Sequence, residues 1–145
     1  MSLWSWLRSR WRPATPPETP VNLRRGQIGE DAARQHLKDL GLKFLLANFR
    51  GPHGEIDLVF RDRDCLVFVE VKARSANAWT RPAAAVNARK RRALARTAFA
   101  YLRQLDDPRV KIRFDVVEVL LEGDAVAEIR HLPAAFQIPG PRSFG

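Results

Sequence analysis

The sequence predicts one α/β domain with a helix on each side of a mixed sheet. Three observations predict it. Five segments (43–49, 54–60, 66–72, 111–121 and 125–131) are apolar-alternating or β-branched and are bounded by polar turns. Two others, 27–40 and 84–105, repeat apolar residues three and four apart, the spacing of a helix with one buried face. Their order, α-β-β-β-α-β-β, suits helices packed on both faces of a single sheet.

Residues 1–22 read as a flexible Trp/Arg/Pro-rich tail, because Pro13, Pro16, Pro17 and Pro20 favour an extended chain. Its first half carries Leu3, Trp4, Leu7 and Trp11 at helical spacing among arginines, a pattern that also fits contact with a partner or a membrane surface. The domain proper is expected over 23–132. Its first helix has the stripe Ile28, Ala32, Ala33, Leu37 and Leu40, and Gly41 stops it. His36 lies within that stripe and reads as a packed residue. A strand over 43–49 follows. Segments 54–60 and 66–72 form a hairpin across the polar turn 61–65. The second helix buries Leu94, Ala98, Tyr101 or Leu102, and Leu105. Strand 111–121, a turn at 122–124 and strand 125–131 complete the order, and 133–145 read as a second tail.

Composition narrows the function classes. The chain has 145 residues, 46% of them hydrophobic and 28% charged, values ordinary for a globular protein. No apolar run reaches the roughly 20 residues that span a bilayer, so no transmembrane segment is expected. Cys65 is the single cysteine, which excludes an intrachain disulfide and a cysteine-built zinc cluster. A reducing, cytoplasmic location fits that usage. The net charge is +9, and all of it resides in one stretch. Residues 71–103 contain no acid but hold Lys72, Arg74, Arg81, Arg89, Lys90, Arg91, Arg92, Arg96 and Arg103. A patch of that kind attracts polyanions, nucleic acid first among them.

The hairpin carries the chemistry. Side chains alternate faces along a strand. Strict alternation puts Ile56, Leu58, Phe60, Val67, Val69 and Val71 on one face. The other face receives Glu55, Asp57, Val59, Phe68, Glu70 and Lys72. A turn centred on Arg63 and Asp64 places Asp57 opposite Glu70 and Glu55 opposite Lys72. Directly opposed residues have Cβ atoms about 4.5–5.5 Å apart. Two carboxylates at such a distance repel, by about 4 kcal/mol at 4 Å and an effective dielectric near 20. Lys72 or a divalent cation would relieve that repulsion, and carboxylate oxygens suit Mg²⁺ or Mn²⁺ rather than zinc. A solvated charged face with a Glu55–Lys72 pair is the plainer reading of the same pattern.

Asp57 followed after a spacer by Glu70-Val71-Lys72 resembles the PD-(D/E)xK signature of restriction-endonuclease-like nucleases. The Gly54-Glu55-Ile56-Asp57 lead-in is similar to that of archaeal-type Holliday-junction resolvases. With Gly26-x-x-Gly29-Glu30-x-x-Ala33 and Val69-Glu70-Val71-Lys72-x-Arg74-Ser75, the chain closely resembles the YraN-like family of small bacterial proteins across about residues 23–120. The resemblance implies a three-layer α/β/α restriction-endonuclease-like fold with a mixed central sheet. It implies catalytic roles for Asp57, Glu70 and Lys72. Asp57, Glu70 and the first-helix acid Glu30 would hold Mg²⁺ or Mn²⁺, with the Val71 carbonyl as a further ligand, and Lys72 would orient the attacking water. Glu55 is expected as a partner of Lys72. Arg74, Ser75, Arg89, Lys90 and Arg91 are the expected nucleic-acid contacts. Many such nucleases carry a glutamine on the second helix. This chain has Asn87-Ala88-Arg89-Lys90-Arg91-Arg92 there, which suits phosphate contact. Asp115 is expected to pair with a basic residue.

The functional expectation is a metal-dependent nuclease acting on DNA, including branched or structured DNA. A non-catalytic nucleic-acid-binding module on the same scaffold is the alternative. A third class is an interaction protein tethered through the Trp-rich tail. Related nucleases often act as dimers, so the resemblance allows a homodimer, although no residue pattern marks its surface.

Overall fold

The computed structural model describes residues 20–76, 86–106 and 108–137. The Trp-rich segment 1–12 and most of the proline-rich run after it lie outside them. Among the described residues, five strands form one sheet in chain order: β1 (Lys43–Gly51), β2 (Gly54–Asp62), β3 (Cys65–Ser75), β4 (Lys111–Glu122) and β5 (Ala125–Phe136). All neighbours are antiparallel except β3 and β4, which run parallel and are joined through helix α2 (Ala88–Gln104). Helix α1 (Pro20–Asp39) precedes the sheet. The α/β class with a mixed sheet is as the patterning predicts.

The two helices cover opposite faces. Ala33 and Leu37 of α1 bury against Leu58, Phe60, Val67, Val69, Val117 and Val119. Leu94, Ala98, Tyr101 and Leu102 of α2 bury against Phe49, Val59, Phe68, Phe114 and Val116. Both faces of the central strands are therefore sealed, and Val59 and Phe68 are fully buried. A solvated outer face of the hairpin is excluded by that packing.

Helix α1 is described from Pro20, earlier than the apolar stripe alone indicates. The helix ends as expected. Gly41 adopts φ 94°, and the Gly41 and Leu42 amides donate back to the Lys38 and Leu37 carbonyls, closing the last turn. Helix α2 is capped by Asn87, whose side-chain oxygen accepts from the Lys90 amide at 2.9 Å.

Helix α1 approaches β3 closely at Gly29. A Cβ at that position would lie 2.8 Å from the Ala73 Cβ, inside van der Waals contact. Gly29→Ala is expected to push the helix off the strand and cost about 1–3 kcal/mol, measured by urea denaturation. Adding Ala73→Gly should restore most of the loss. A Gly29→Ala protein as stable as the parent would disprove the close approach.

Strand β5 is longer than expected and continues through Pro133 to Phe136. Phe136 is buried and stacks on Phe114. Between the pairs Phe114↔Phe136 and Val116↔Leu132, β5 inserts a bulge at Pro133, Ala134 and Ala135 opposite the single residue Asp115, with Ala134 at φ 48°. Asp115 explains the bulge. It is 1% exposed and accepts from the Ala134 amide (2.9 Å), from Arg113 through two nitrogens (2.9 and 3.1 Å), and lies 2.8 Å from His131 Nε2. Arg113 also reaches Asp62 at 2.8 Å. The expected pairing of Asp115 with a base thus holds, inside a larger network. His36 is partly buried in α1 and meets His131 edge-on at 6.3 Å, as a packed residue.

Candidate metal centre

The hairpin register is the one the turn predicts. Asp62↔Cys65 through Leu58↔Val69 pair in order. The next step would oppose Asp57 and Glu70, but the ladder ends there. The Asp57 carboxylate takes over, with Oδ2 accepting from the Val71 amide at 2.7 Å. The strands splay at the level where the acids gather.

A second departure reorders the faces. Ile56 packs on the α2 side, although Leu58 and Phe60 pack on the α1 side. Across the ladder, Ala47 faces α1 and Phe49 faces α2. The residue between them, Asn48, has φ 55°, a left-handed conformation that asparagine tolerates better than most residues. The alternation turns over at Asn48 and Asp57, so strict alternation misplaces Ile56 and Glu55.

The switch brings Glu55 toward α1. Oxygens of Glu30, Glu55 and Asp57 all lie within 4.8 Å of one another. With its amide nitrogen turned toward them, Asn48 reaches Glu30 at 3.2 Å and Glu55 at 3.1 Å. Glu55 also accepts from Arg50 Nε at 3.1 Å, so its basic neighbour is Arg50 and not Lys72. Lys72 instead lies 3.6 Å from Glu70, and Lys90 of α2 approaches the same oxygen at 3.4 Å. Glu70 is buried and stands outside the trio, yet its charge acts on Asp57.

The electrostatics follow from four acids around one splay. Burial, then the Glu55 charge, raises the Glu30 carboxyl to about 7. Burial, then Glu70, pushes Asp57 well above the ordinary carboxylate range, and the Val71 amide only partly opposes this. A cluster that resists losing its protons has an excess of negative charge that a hard cation would neutralise. The donor set, carboxylate oxygens only, fits Mg²⁺ or Mn²⁺.

Among the expected contacts, Arg74 points its guanidinium at buried Glu118 at 3.2 Å, so much of its charge is committed within the domain. Ser75 ends β3 and is partly buried. Arg89 is exposed at the start of α2. Arg91 donates to the Val86 carbonyl at 3.1 Å and lies over the Phe136 ring. Lys90 is the basic residue of that turn that faces the acids. Asn48 is the site residue that sequence reasoning missed; an asparagine inside an apolar strand was the available signal.

The profile of the Uncharacterised protein family UPF0102 matches residues 29–119. A UPF0102 protein of Acetivibrio thermocellus is 46% identical over 116 residues, 77% of this chain and 89% of its own length. One from Syntrophotalea carbinolica is 43% identical over 115 residues, covering 79% and 93%. One from Nocardia farcinica is 40% identical over 111 residues, covering 77% and 87%. The matched span includes Glu30, Asn48, Glu55, Asp57, Glu70, Lys72 and Lys90. No helix among the described residues is long and apolar enough to cross a membrane.

Proposed function

The chain belongs to the uncharacterised UPF0102 family, the YraN-like proteins its motifs resemble, and we propose that it is a divalent-metal-dependent phosphodiester hydrolase acting on DNA, including branched DNA. The observation that carries the reading is the convergence of Glu30, Glu55 and Asp57 beside Glu70 and Lys72, at the foot of a helix without acids. Glu30, Glu55 and Asp57 would supply oxygen ligands for Mg²⁺ or Mn²⁺, and Glu70 borders them. The cation, when bound, would supply Lewis acidity at a phosphoryl oxygen. Lys72 is 30% exposed at its side chain, so its ammonium reaches solvent while Glu70 holds it in place. From there it orients an attacking water and stabilises charge on the phosphoryl group. Asn48 holds two carboxylates in register.

A second reading, a binding module without turnover, is favoured by Lys90. It neutralises Glu70 from the helix on which the nuclease resemblance leads one to expect a glutamine. One assay separates the two. The purified protein is incubated with duplex, flap and four-way-junction DNA in Mn²⁺. Hydrolysis is expected, with Lys72→Ala reducing it by at least about 10²-fold. Cleavage unaffected by Lys72→Ala would overturn the role assigned to Lys72, and no cleavage on any substrate while binding persists would leave the binding module standing.

A further inference from the structure

The start of α2 is charged against its own helix. Arg89, Lys90, Arg91 and Arg92 crowd the first turns, and no acid lies among them. The positive end of the helix dipole repels cations there. Arg92 and Arg96 repeat the conflict one turn on, because like charges four residues apart oppose helix formation. Lys90 and Arg91 have partners within the fold, at Glu70 and at the Val86 carbonyl; folding does not account for the exposed Arg89, Arg92 and Arg96, whereas an anionic ligand would.

The same residues border a cavity. A groove of about 400 Å³ opens between α2 and the end of β5. Among the described residues, Ala88, Ala95 and Phe136 give it apolar walls, and Arg91, Arg92 and Arg96 give it a cationic rim. Arg91 is fixed over the Phe136 ring through its bond to the Val86 carbonyl. Arg92 and Arg96 are exposed. Apolar walls under a row of guanidinium groups match a planar apolar group that carries phosphate, which is a nucleotide. A base within a duplex is stacked on both faces and cannot enter such a groove; an unpaired one can.

We propose that this groove seats an unpaired nucleotide of the nucleic-acid substrate, with its base against Ala88, Ala95 and Phe136 and its phosphates on Arg92 and Arg96. The proposal rests on the nucleic-acid part of the preceding reading and specifies its substrate class: DNA with unpaired nucleotides beside the cleavage site. Lys90 links the two places, because it contacts Glu70 while its neighbours Arg91 and Arg92 line the groove.

The test is binding of the full chain in EDTA to a fluorescent oligothymidylate and to a blunt duplex of equal length, across a salt series. Arg92→Gln with Arg96→Gln should weaken oligothymidylate binding by about tenfold at low salt and reduce the log–log salt slope by about 1.4, two phosphate contacts. Ala88→Phe fills the groove from an exposed position. It should weaken oligothymidylate binding by at least about fivefold, leaving duplex binding, the salt slope and the thermal midpoint unchanged. Equal losses on both DNAs, or no loss with Ala88→Phe in a folded protein, would overturn the proposal. Mn²⁺ titration of the same variants keeps the readings apart, since failure of the acid cluster to bind metal leaves these binding results intact.

Discussion

Replacing Asp57 by asparagine is expected to stabilise the metal-free protein and to abolish Mn²⁺ binding in the same step. Asparagine is isosteric, and its Oδ1 can still accept the Val71 amide that Asp57 accepts at 2.7 Å. What it removes is a carboxyl whose charged form burial, Glu70, Glu30 and Glu55 all oppose. The gain should be about 0.5–2 kcal/mol at neutral pH, read by urea denaturation in EDTA. Calorimetric titration with Mn²⁺ should show binding in the parent and none in Asp57→Asn. Unchanged Mn²⁺ affinity would remove Asp57 from the ligand set.

The pH dependence has a definite sign. Glu30 titrates at about 7 in the fold against 4.5 in an ordinary setting. A raised pKa contributes its full stability below the unfolded value and loses it as pH rises through the folded one. The metal-free protein should therefore weaken between about pH 4.5 and 7, and Mn²⁺ should restore the loss. Because the cation displaces protons, its affinity should rise about tenfold from pH 6 to 8.

Asp115→Ala should have the opposite outcome, a loss of about 3–5 kcal/mol. Asp115 is 1% exposed, and its removal leaves Arg113, His131 and the Ala134 amide without their common acceptor. Burial alone would raise the Asp115 carboxyl, but the hydrogen bonds from His131, Arg113 and Ala134 outweigh it and hold the group below 3.8. A depressed pKa contributes stability above the unfolded value and loses it as pH falls through the folded one. The parent should thus lose stability below about pH 4, a loss that Asp115→Ala should largely lack. With the Glu30 window, this places the metal-free optimum at about pH 4–5, and Mn²⁺ should move it toward neutral. A variant as stable as the parent would show that the network is dispensable.

Much of the fold was legible because local rules and burial agree over most of the chain. The stripe of α2, the Gly41 stop and the Arg63–Asp64 turn each follow from residue type and spacing. The hairpin register also follows, since one slip would move Leu58 and Val69 off the α1 face. What was not legible depended on single backbone conformations and on partners distant in sequence. Nothing in the spacing of Glu55 and Lys72 reveals that Asn48 turns the strand over, and that inversion exchanges Lys72 for Arg50 beside Glu55. Pro133 reads as the end of a strand, but Asp115, 18 residues earlier, stabilises the bulge that carries the chain past it. The fold brings the four acids into one neighbourhood. Their partition, with Glu30, Glu55 and Asp57 together and Glu70 among lysines, required the third dimension.

The bulge at Pro133 has a consequence for association. Among the described residues, β1 and β5 are the outer strands of the sheet, and an outer strand invites another chain to add to it. In β5 the ladder breaks before Pro133, which has no amide hydrogen, and Ala134 turns its amide inward to Asp115. A regular strand cannot zip along that margin from end to end. Asp115 thereby acts at a distance as a guard against aggregation: the carboxylate that anchors β5 also keeps its rim too irregular to template a second sheet.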